Sequence, residues 1–449
     1  MRPPSLRPRS ELWRDAGFVR LFVANATAQL GEQVSLIAIP LAALYVLKAS
    51  ALGVALLRSF AVLPFLLFAL PAGVWVDRLR RRPLMILADF GRAAAVVSIP
   101  VAYWLGHLSM AQLYLVAGVH GFLSVLFDLA YLSFLPTLVG RDHLGEANEK
   151  LLGMQSAAGL AGPTLAGGLV AAVGAPVAVL AEAVGFFASG SVVLAIRGRE
   201  EWPEPTQTRA RAELTEGLRY VFSQPYLRTL TIWISAGNLF TSALFALLIV
   251  YLVRDLHFGA TTIGWVSSVI GLGFVGAAFT NGRLVRRFGV GPMIAYTGLA
   301  SQVLLLGLPL APTASPLPLL LVAGVGSTFL GFFMNVNQLT LRQAITPNRL
   351  LGRMNAVTRF MYWGTMPLGS ALGGVVANAA GLRATLVAAC VGAIVTQIPI
   401  AISPIRKLRG LPSPPPEPAL TVEPLALVRS TVSGDAGAAG DGGVASPAH

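Results

Sequence analysis

Charged residues are scarce in this sequence. Only 12% of its 449 residues are Asp, Glu, Lys or Arg, whereas 55% are hydrophobic, and a soluble domain carries about 25% charged residues. Apolar stretches recur along most of the chain, and about 20 residues of helix cross the hydrocarbon core of a bilayer. A water-soluble globule is therefore excluded. The sequence predicts an all-α integral membrane protein.

Cysteine is nearly absent, and histidine is sparse. The single Cys390 excludes an intrachain disulfide framework and a thiolate metal cluster. No pair of His residues has the spacing of metal ligands. Residues 271–276 match a dinucleotide-binding pattern, but they lie inside an apolar stretch with no preceding strand. We expect no metal and no cofactor, and a membrane-embedded enzyme is the least favoured class.

Basic residues give the chain a net charge of +13, and their positions predict its orientation. Of the 33 Lys and Arg residues, 28 fall in alternate connections between the predicted spans or in the flanks. By the positive-inside rule that side is cytoplasmic. The distribution explains the charge without a nucleic-acid partner. It predicts a multi-pass protein of the cell membrane with both termini in the cytoplasm.

Turns and charges divide the sequence into twelve spans in two sets of six. The first set covers residues 18–47, 53–76, 83–105, 110–139, 151–173 and 175–196, and the second covers 227–253, 260–281, 291–311, 316–341, 353–379 and 382–403. The predicted layout is a cytoplasmic segment at 1–17, a first half at 18–196, a central loop at 197–226, a second half at 227–403 and a disordered cytoplasmic tail at 404–449.

The central loop contains a second kind of helix. Leu214, Leu218, Val221 and Phe222 recur at helical spacing, with charged residues at the other positions. This pattern predicts an amphipathic helix on the membrane surface.

Three features repeat at a nearly constant offset: a basic turn, a short polar segment and the Gly-rich span that this segment opens. The basic turn at residues 73–83 is echoed at 282–289, 205 residues later, and residues 144–148 are echoed at 351–355, 207 residues later. Both of the latter segments open a Gly-rich span. Small residues allow close helix packing in lipid, so we expect the fifth and eleventh spans to pack tightly within their halves. The candidate packing residues are Gly162, Pro163, Gly167, Gly168, Pro367, Gly373 and Gly374.

The motif Gly73-x-x-x-Asp77-Arg78-x-x-Arg81-Arg82 resembles the signature loop of the major facilitator superfamily. Residues 346–355 resemble the branch that contains macrolide efflux and enterobactin export proteins. The resemblance implies twelve transmembrane helices in two pseudo-symmetric six-helix halves. Two positions depart from the family pattern: Arg80 stands where a Gly is usual, and His120 and Gly121 stand where drug/proton antiporters often carry an Arg.

The resemblance also implies a role for the basic turn. In the family this turn and an acid on the fourth span latch the halves together on the cytoplasmic face. The simpler alternative is that Asp77 only pairs with a neighbouring Arg and that the turn signals topology. The candidate latch residues are Gly73, Asp77, Arg78, Arg81, Arg82 and Asp128.

Polar residues lie on single helical faces of the first, fourth, seventh and tenth spans, which line the cavity in this superfamily. The alternative is that these groups only form hydrogen bonds between helices. The candidate substrate cavity consists of Asn25, Gln29, Glu32, His120, Ser124, Asn238, Thr241, Asn335 and Gln338.

Ionisable groups inside the spans require a reason, because each costs about 2.5 to 3.5 kcal/mol at the centre of a helix on the translocon scale. Glu32 lies near the bilayer centre and can exchange a proton as its solvation changes. We identify Glu32, and secondarily Asp128, as candidate proton-coupling groups. Asp89 and Arg92, three residues apart, are expected to pair with each other.

These observations predict a secondary transporter, not an enzyme. The resemblance implies export of a bulky drug-like, macrolide-like or siderophore-like small molecule by alternating access, coupled to protons. The expected partners are this small-molecule substrate, the lipid bilayer and protons, and the expected state is a monomer. The alternative of the same fold is a nutrient importer or facilitator.

Overall fold

The computed structural model describes residues 11–140, 142–196 and 210–412, without the side chains at 11, 69–71, 73–74, 77–78 and 210–213. All regular structure in these ranges is helical. The helices are α1 (Ala16–Tyr45), α2 (Ala51–Arg78), α3 (Arg81–Trp104), α4 (Met110–Val139), α5 (Leu144–Val173), α6 (Ala175–Ala178), α7 (Leu180–Leu194), α8 (Ala210–Ser223), α9 (Pro225–Arg254), α10 (Ala260–Phe288), α11 (Val290–Leu305), α12 (Leu317–Ala344), α13 (Leu351–Ala380) and α14 (Leu382–Ile402).

A helix stands at each of the twelve predicted spans, with α6 and α7 sharing the sixth. Ten are long and apolar enough to cross a membrane, counting α6 and α7 as one. The other two are α11, which has only 16 residues, and α13, which carries two Arg residues. The predicted all-α membrane fold is confirmed. The amphipathic segment of the central loop forms α8, which packs against α13.

Several helix ends differ from their predicted positions. The fifth helix begins at 144 instead of 151, because its first turns are polar but helical, with Glu146 Oε1 and Lys150 Nζ 3.4 Å apart at positions i and i+4. The ninth predicted span is helical only to Leu305, after which Gly307 and Pro309 accompany a series of turns. The predicted disordered tail begins with a short 3-10 helix, Pro404–Lys407, whose Ile405 is buried. The tail beyond residue 412 and the central loop at 197–209 lie outside the described residues.

Two glycines at equivalent positions of the internal repeat have nearly the same backbone angles. Gly174 connects α5 to α6 with φ 83° and ψ 153°, and Gly381 connects α13 to α14 with φ 86° and ψ 156°. A positive φ of this size strains residues that carry a Cβ. The two positions are separated by the 207-residue offset already found in the sequence. The corresponding helix pairs of the two halves therefore turn in the same way.

The described hydrophobic core joins the two halves at one end of the helices only. Its largest cluster combines residues of the first half with residues of the second, including Leu41, Ala55, Val170, Leu247, Ile263 and Leu386. Toward the other end there is one cluster from the first half, with Phe18, Met85 and Phe134, and another from the second half, with Leu227, Ile294 and Leu341. We call these the joined end and the separated end. The basic connections lie at the separated end.

Candidate substrate cavity

Two helix pairs join the halves. On one side α2 packs against α13, where Ser59 Oγ donates to the carbonyl of Pro367 over 2.9 Å. Gly374 is in close contact there, since a Cβ on it would lie 2.8 Å from Ala55 Cβ and 2.9 Å from Leu52 Cα. Small residues are what this approach requires.

On the other side α5 packs against α10. A Cβ on Gly264 would lie 2.2 Å from the carbonyl oxygen of Pro163, and a Cβ on Gly167 would lie 2.4 Å from that of Ala260. Thr164 donates to Ser268 Oγ through both its amide (3.1 Å) and its hydroxyl (2.8 Å). The backbones therefore approach closely at this contact between the halves.

The predicted packing residues serve two kinds of contact. A Cβ on Gly162 would meet Gln33, and one on Gly373 would meet Ala243, both within the same half as expected. Gly167, Gly374 and Pro367 instead face the opposite half, because spans five and eleven lie on the boundary. Among the described residues nothing lies within 4 Å of a Cβ on Gly168.

Inside the first half a buried ion pair connects α3 to its neighbours. Arg92 binds Asp89, as its spacing predicted, and its Nη1 donates to Ser124 Oγ over 3.3 Å. Asp89 is fully buried and also accepts from Ser189 Oγ at 2.7 Å. The guanidinium carbon of Arg92 lies 4.4 Å from one aromatic ring centre, Phe127, and 4.2 Å from another, Phe186. This charge is therefore paired and stacked.

Three further ionisable groups meet beside this pair. His120 Nε2 on α4 lies 3.2 Å from Glu182 Oε1 on α7, at an angle too poor for a hydrogen bond. Glu182 is only 2% exposed, and its Oε2 has no hydrogen-bond partner among the described residues. Glu32 on α1 experiences the charges of both. The predicted Glu32 and His120 thus belong to one cluster.

Glu182 is the member that the sequence did not identify as a site residue. A signal for it exists in two glycines. A Cβ on Gly31 would lie 2.6 Å from the Cα of Glu182, and a Cβ on Gly185 would lie 2.5 Å from the carbonyl of Thr27. The glycine before Glu32 and the glycine after Glu182 let α1 and α7 touch, which brings the two carboxylates together.

The remaining polar residues of the first half lie around this cluster. The side chain of Asn25 lies near the hydroxyl of Tyr131, and Gln29 is partly exposed. Asp128 experiences the charges of Arg92 and of Arg359, which belongs to α13 of the other half. This region therefore contains an electrostatic connection between the halves.

The second half has amides but no comparable acid. Asn238 Nδ2 donates to the carbonyl of Tyr362 over 3.1 Å, and Thr241 bonds back to its own helix. Asn335 is exposed, whereas Gln338 is buried. A buried amide that the sequence did not single out, Asn337, donates to Asn281 Oδ1 at 2.9 Å.

One cation stands apart in this half. Arg342, one turn after Gln338 on α12, is 6% exposed, and its Nε and Nη1 have no hydrogen-bond partner among the described residues. Its guanidinium carbon lies 5.1 Å from the ring centre of Tyr362.

Comparison with known proteins identifies the family. A family model of the major facilitator type, described as a transmembrane secretion effector, matches residues 11–434. The chain belongs to the major facilitator superfamily. It is a multi-pass membrane transporter that acts on small molecules.

Relatives within the superfamily include efflux proteins. The multidrug efflux pump Tap of Mycobacterium tuberculosis is 30% identical over 412 residues, which cover 86% of this chain and 94% of Tap. The enterobactin exporter EntS of Citrobacter koseri is 26% identical over 362 residues, which cover 77% and 82%.

The fold of the superfamily is also found in solved structures. A bacterial homologue of the iron transporter ferroportin, in an inward-facing state, superposes with a TM-score of 0.67 at 18% identity and covers 88% of this chain and all of its own. At this identity the likeness shows the fold alone.

The superfamily's signature turn is short in this member. α2 ends at Arg78 and α3 begins at Arg81, so only Leu79 and Arg80 lie between them. Arg80 has φ −66°, an ordinary value, so the turn does not need the glycine usual in the superfamily. Arg82 donates to the carbonyls of Val193 (3.2 Å) and Leu194 (2.6 Å) at the end of α7.

The latch itself stays a prediction. The side chains of Gly73, Asp77 and Arg78 lie outside the described residues. Within the described residues no group of three or more His, Cys, Asp or Glu side chains could hold a metal ion.

Proposed function

We propose that this transporter exports a bulky drug-like, macrolide-like or siderophore-like small molecule from the cytoplasm by alternating access. The observation that carries the proposal is the divided core, which joins the halves at one end and leaves them separate at the other. Two halves with independent cores at one end can move apart there as rigid bodies while the joined end stays closed. The relatives named for multidrug efflux and enterobactin export support the direction of transport.

The proposed orientation places the separated end in the cytoplasm of a plasma-membrane protein. The basic connections lie at that end, as the positive-inside rule requires. In this orientation the cavity opens toward cytoplasmic cargo. The turn at residues 73–83 would then latch the halves, together with Asp128, when the cavity opens outward.

The proposed coupling ion is the proton, carried by Glu32. This carboxyl group lies beside the charges of His120 and Glu182, so its protonation alters the electrostatics of a cluster built from three helices. A group in such a position can couple a change of charge to a change of helix packing. Asp128 is the second candidate.

Export is tested in a bacterial strain that lacks its main efflux pumps. Cells that express the protein should accumulate less of at least one of three probes, the cation ethidium, a macrolide and an anionic catecholate, than cells with an empty vector, and everted vesicles should concentrate the same probe when a proton gradient is applied. Gradient-driven accumulation in right-side-out vesicles would contradict export and favour the importer.

A further inference from the structure

Arg342 is a buried cation without an anionic partner among the described residues. It lies between α12, which carries it, and Thr231 on α9 and Tyr362 on α13. The hydroxyl of Tyr362 is within reach of Arg342 and Thr231 but forms a hydrogen bond of good geometry with neither. Gln338, one turn earlier, also has an oxygen without a partner among the described residues. Groups from three helices therefore lack hydrogen-bond partners among the described residues: two nitrogens of Arg342 and the oxygen of Gln338 on α12, and the hydroxyls of Thr231 on α9 and Tyr362 on α13.

The spanning helices of the second half offer no acid that could pair with the buried Arg342. The six long helices of that half, α9 to α14, contain no Asp or Glu. A buried charge is costly unless it is paired and hydrogen-bonded. The face of Tyr362 offsets part of the cost for Arg342 but accepts no hydrogen bond from Nε or Nη1 at this distance. Arg92, by contrast, has Asp89.

We infer that Arg342 binds the anionic group of the cargo, a carboxylate or an ionised phenol, with Gln338 and Tyr362 beside it. This inference rests on the proposed function, whose substrate class it narrows to organic anions. Guanidinium groups recognise carboxylates through strong charge-assisted hydrogen bonds. The amide of Gln338 and the hydroxyl of Tyr362 can each donate a further bond. The side chain of Tyr362 is partly exposed while its hydroxyl is buried, so an anion that binds Arg342 would have to enter past this ring.

The test is direct binding to the purified full-length protein in lipid nanodiscs. The probes are 2-naphthoate and its uncharged amide, 2-naphthamide, at pH 7, measured by titration calorimetry. We expect naphthoate to bind about tenfold or more tightly than the amide, as a charge-assisted bond requires. Arg342→Gln should remove this preference. The matched control is Arg228→Gln, which removes an exposed cation from α9 of the same half and should leave the preference unchanged.

A second measurement separates this role from a merely structural one. If Arg342 has no anionic partner until cargo binds, Arg342→Gln removes a buried charge that is unpaired in the empty protein. The thermal unfolding midpoint of the empty protein should then stay constant or rise. Naphthoate should raise that midpoint in the unsubstituted protein only. A large fall in the midpoint of the empty variant would show that the cation serves the fold, and would overturn the inference.

Two other outcomes would also overturn it. Equal affinity for naphthoate and naphthamide would mean that charge is not recognised. Binding of phosphate or chloride at Arg342 with an affinity like that of naphthoate would assign the site to a small inorganic anion, not to cargo. Because these measurements need no transport, their failure is distinguishable from a failure of the export assay.

Discussion

The two halves repeat one helical plan but treat buried charge in opposite ways. The spanning helices of the first half contain seven acids: Glu32, Asp77, Asp89, Asp128, Glu146, Glu149 and Glu182. Those of the second half contain none. In the first half the described buried cation, Arg92, is bound on both sides, whereas Arg342 in the second half is not. The two halves therefore share an arrangement of helices but differ in the ionisable residues that those helices carry.

The difference suggests a division of labour across one cavity. The acids of the spanning helices all lie in the half that we propose couples to protons. A permanently charged guanidinium suits the half that we propose holds the anionic part of the cargo, since Arg does not lose its proton in proteins. Rocking the halves would then change the distance between the two kinds of charge. Asp128 and Arg359 already interact across the boundary.

The largest expected effect is on stability, and it compares the two buried arginines directly. Arg92→Gln leaves the fully buried Asp89 without its cation, so the free energy of unfolding should fall by about 3 to 5 kcal/mol. Arg342→Gln should cause no such loss. Unfolding of both variants in the same detergent, followed by circular dichroism, measures the difference. Equal losses would mean that the two arginines do the same structural work.

The next effect concerns transport alone. Glu32→Gln keeps the shape of the side chain but cannot exchange a proton, so export driven by a pH gradient should fall to background while cargo still binds. Glu149→Gln is the matched control, because Glu149 is an exposed acid of the same half. Uptake of the exported probe into everted vesicles gives the measurement. Full gradient-driven export by the Glu32 variant would exclude it as the coupling group.

A smaller effect is expected when an acid is added to the second half. Gln338→Glu places a carboxylate one turn before Arg342, at i and i+4, where the two can pair. We expect the free energy of unfolding to rise by about 1 kcal/mol, because the buried guanidinium gains a charged acceptor in place of an amide oxygen that it does not bind. Naphthoate binding should be lost, since the site then contains its own anion. Unchanged binding would mean that naphthoate does not use this arginine.

The sequence predicted those features that depend on one helix at a time. The twelve helices and the Asp89–Arg92 pair follow from apolar length and from i, i+3 spacing, and both are present. The contact of His120 with Glu182 depends instead on which helices become neighbours, and no periodicity within α4 or α7 contains that information. The absence of acids from the spanning helices of the second half can be read from the sequence, but the burial of Arg342 beside Tyr362 depends on which helices become neighbours.

The smallest effect concerns the place where the second half does pair an acid with arginine. Glu216 Oε1 on α8 lies 2.9 Å from Arg349 Nη1, and Glu216 also binds Arg353 in the first turn of α13, at the separated end of the helices. The pair is partly exposed, so Glu216→Gln should cost only about 0.2 to 1 kcal/mol. It should also speed proteolysis of the loop before α8, because the helix is held less firmly on α13. Export should be unchanged, because Glu216 lies away from the interior position at which we propose that Arg342 binds cargo.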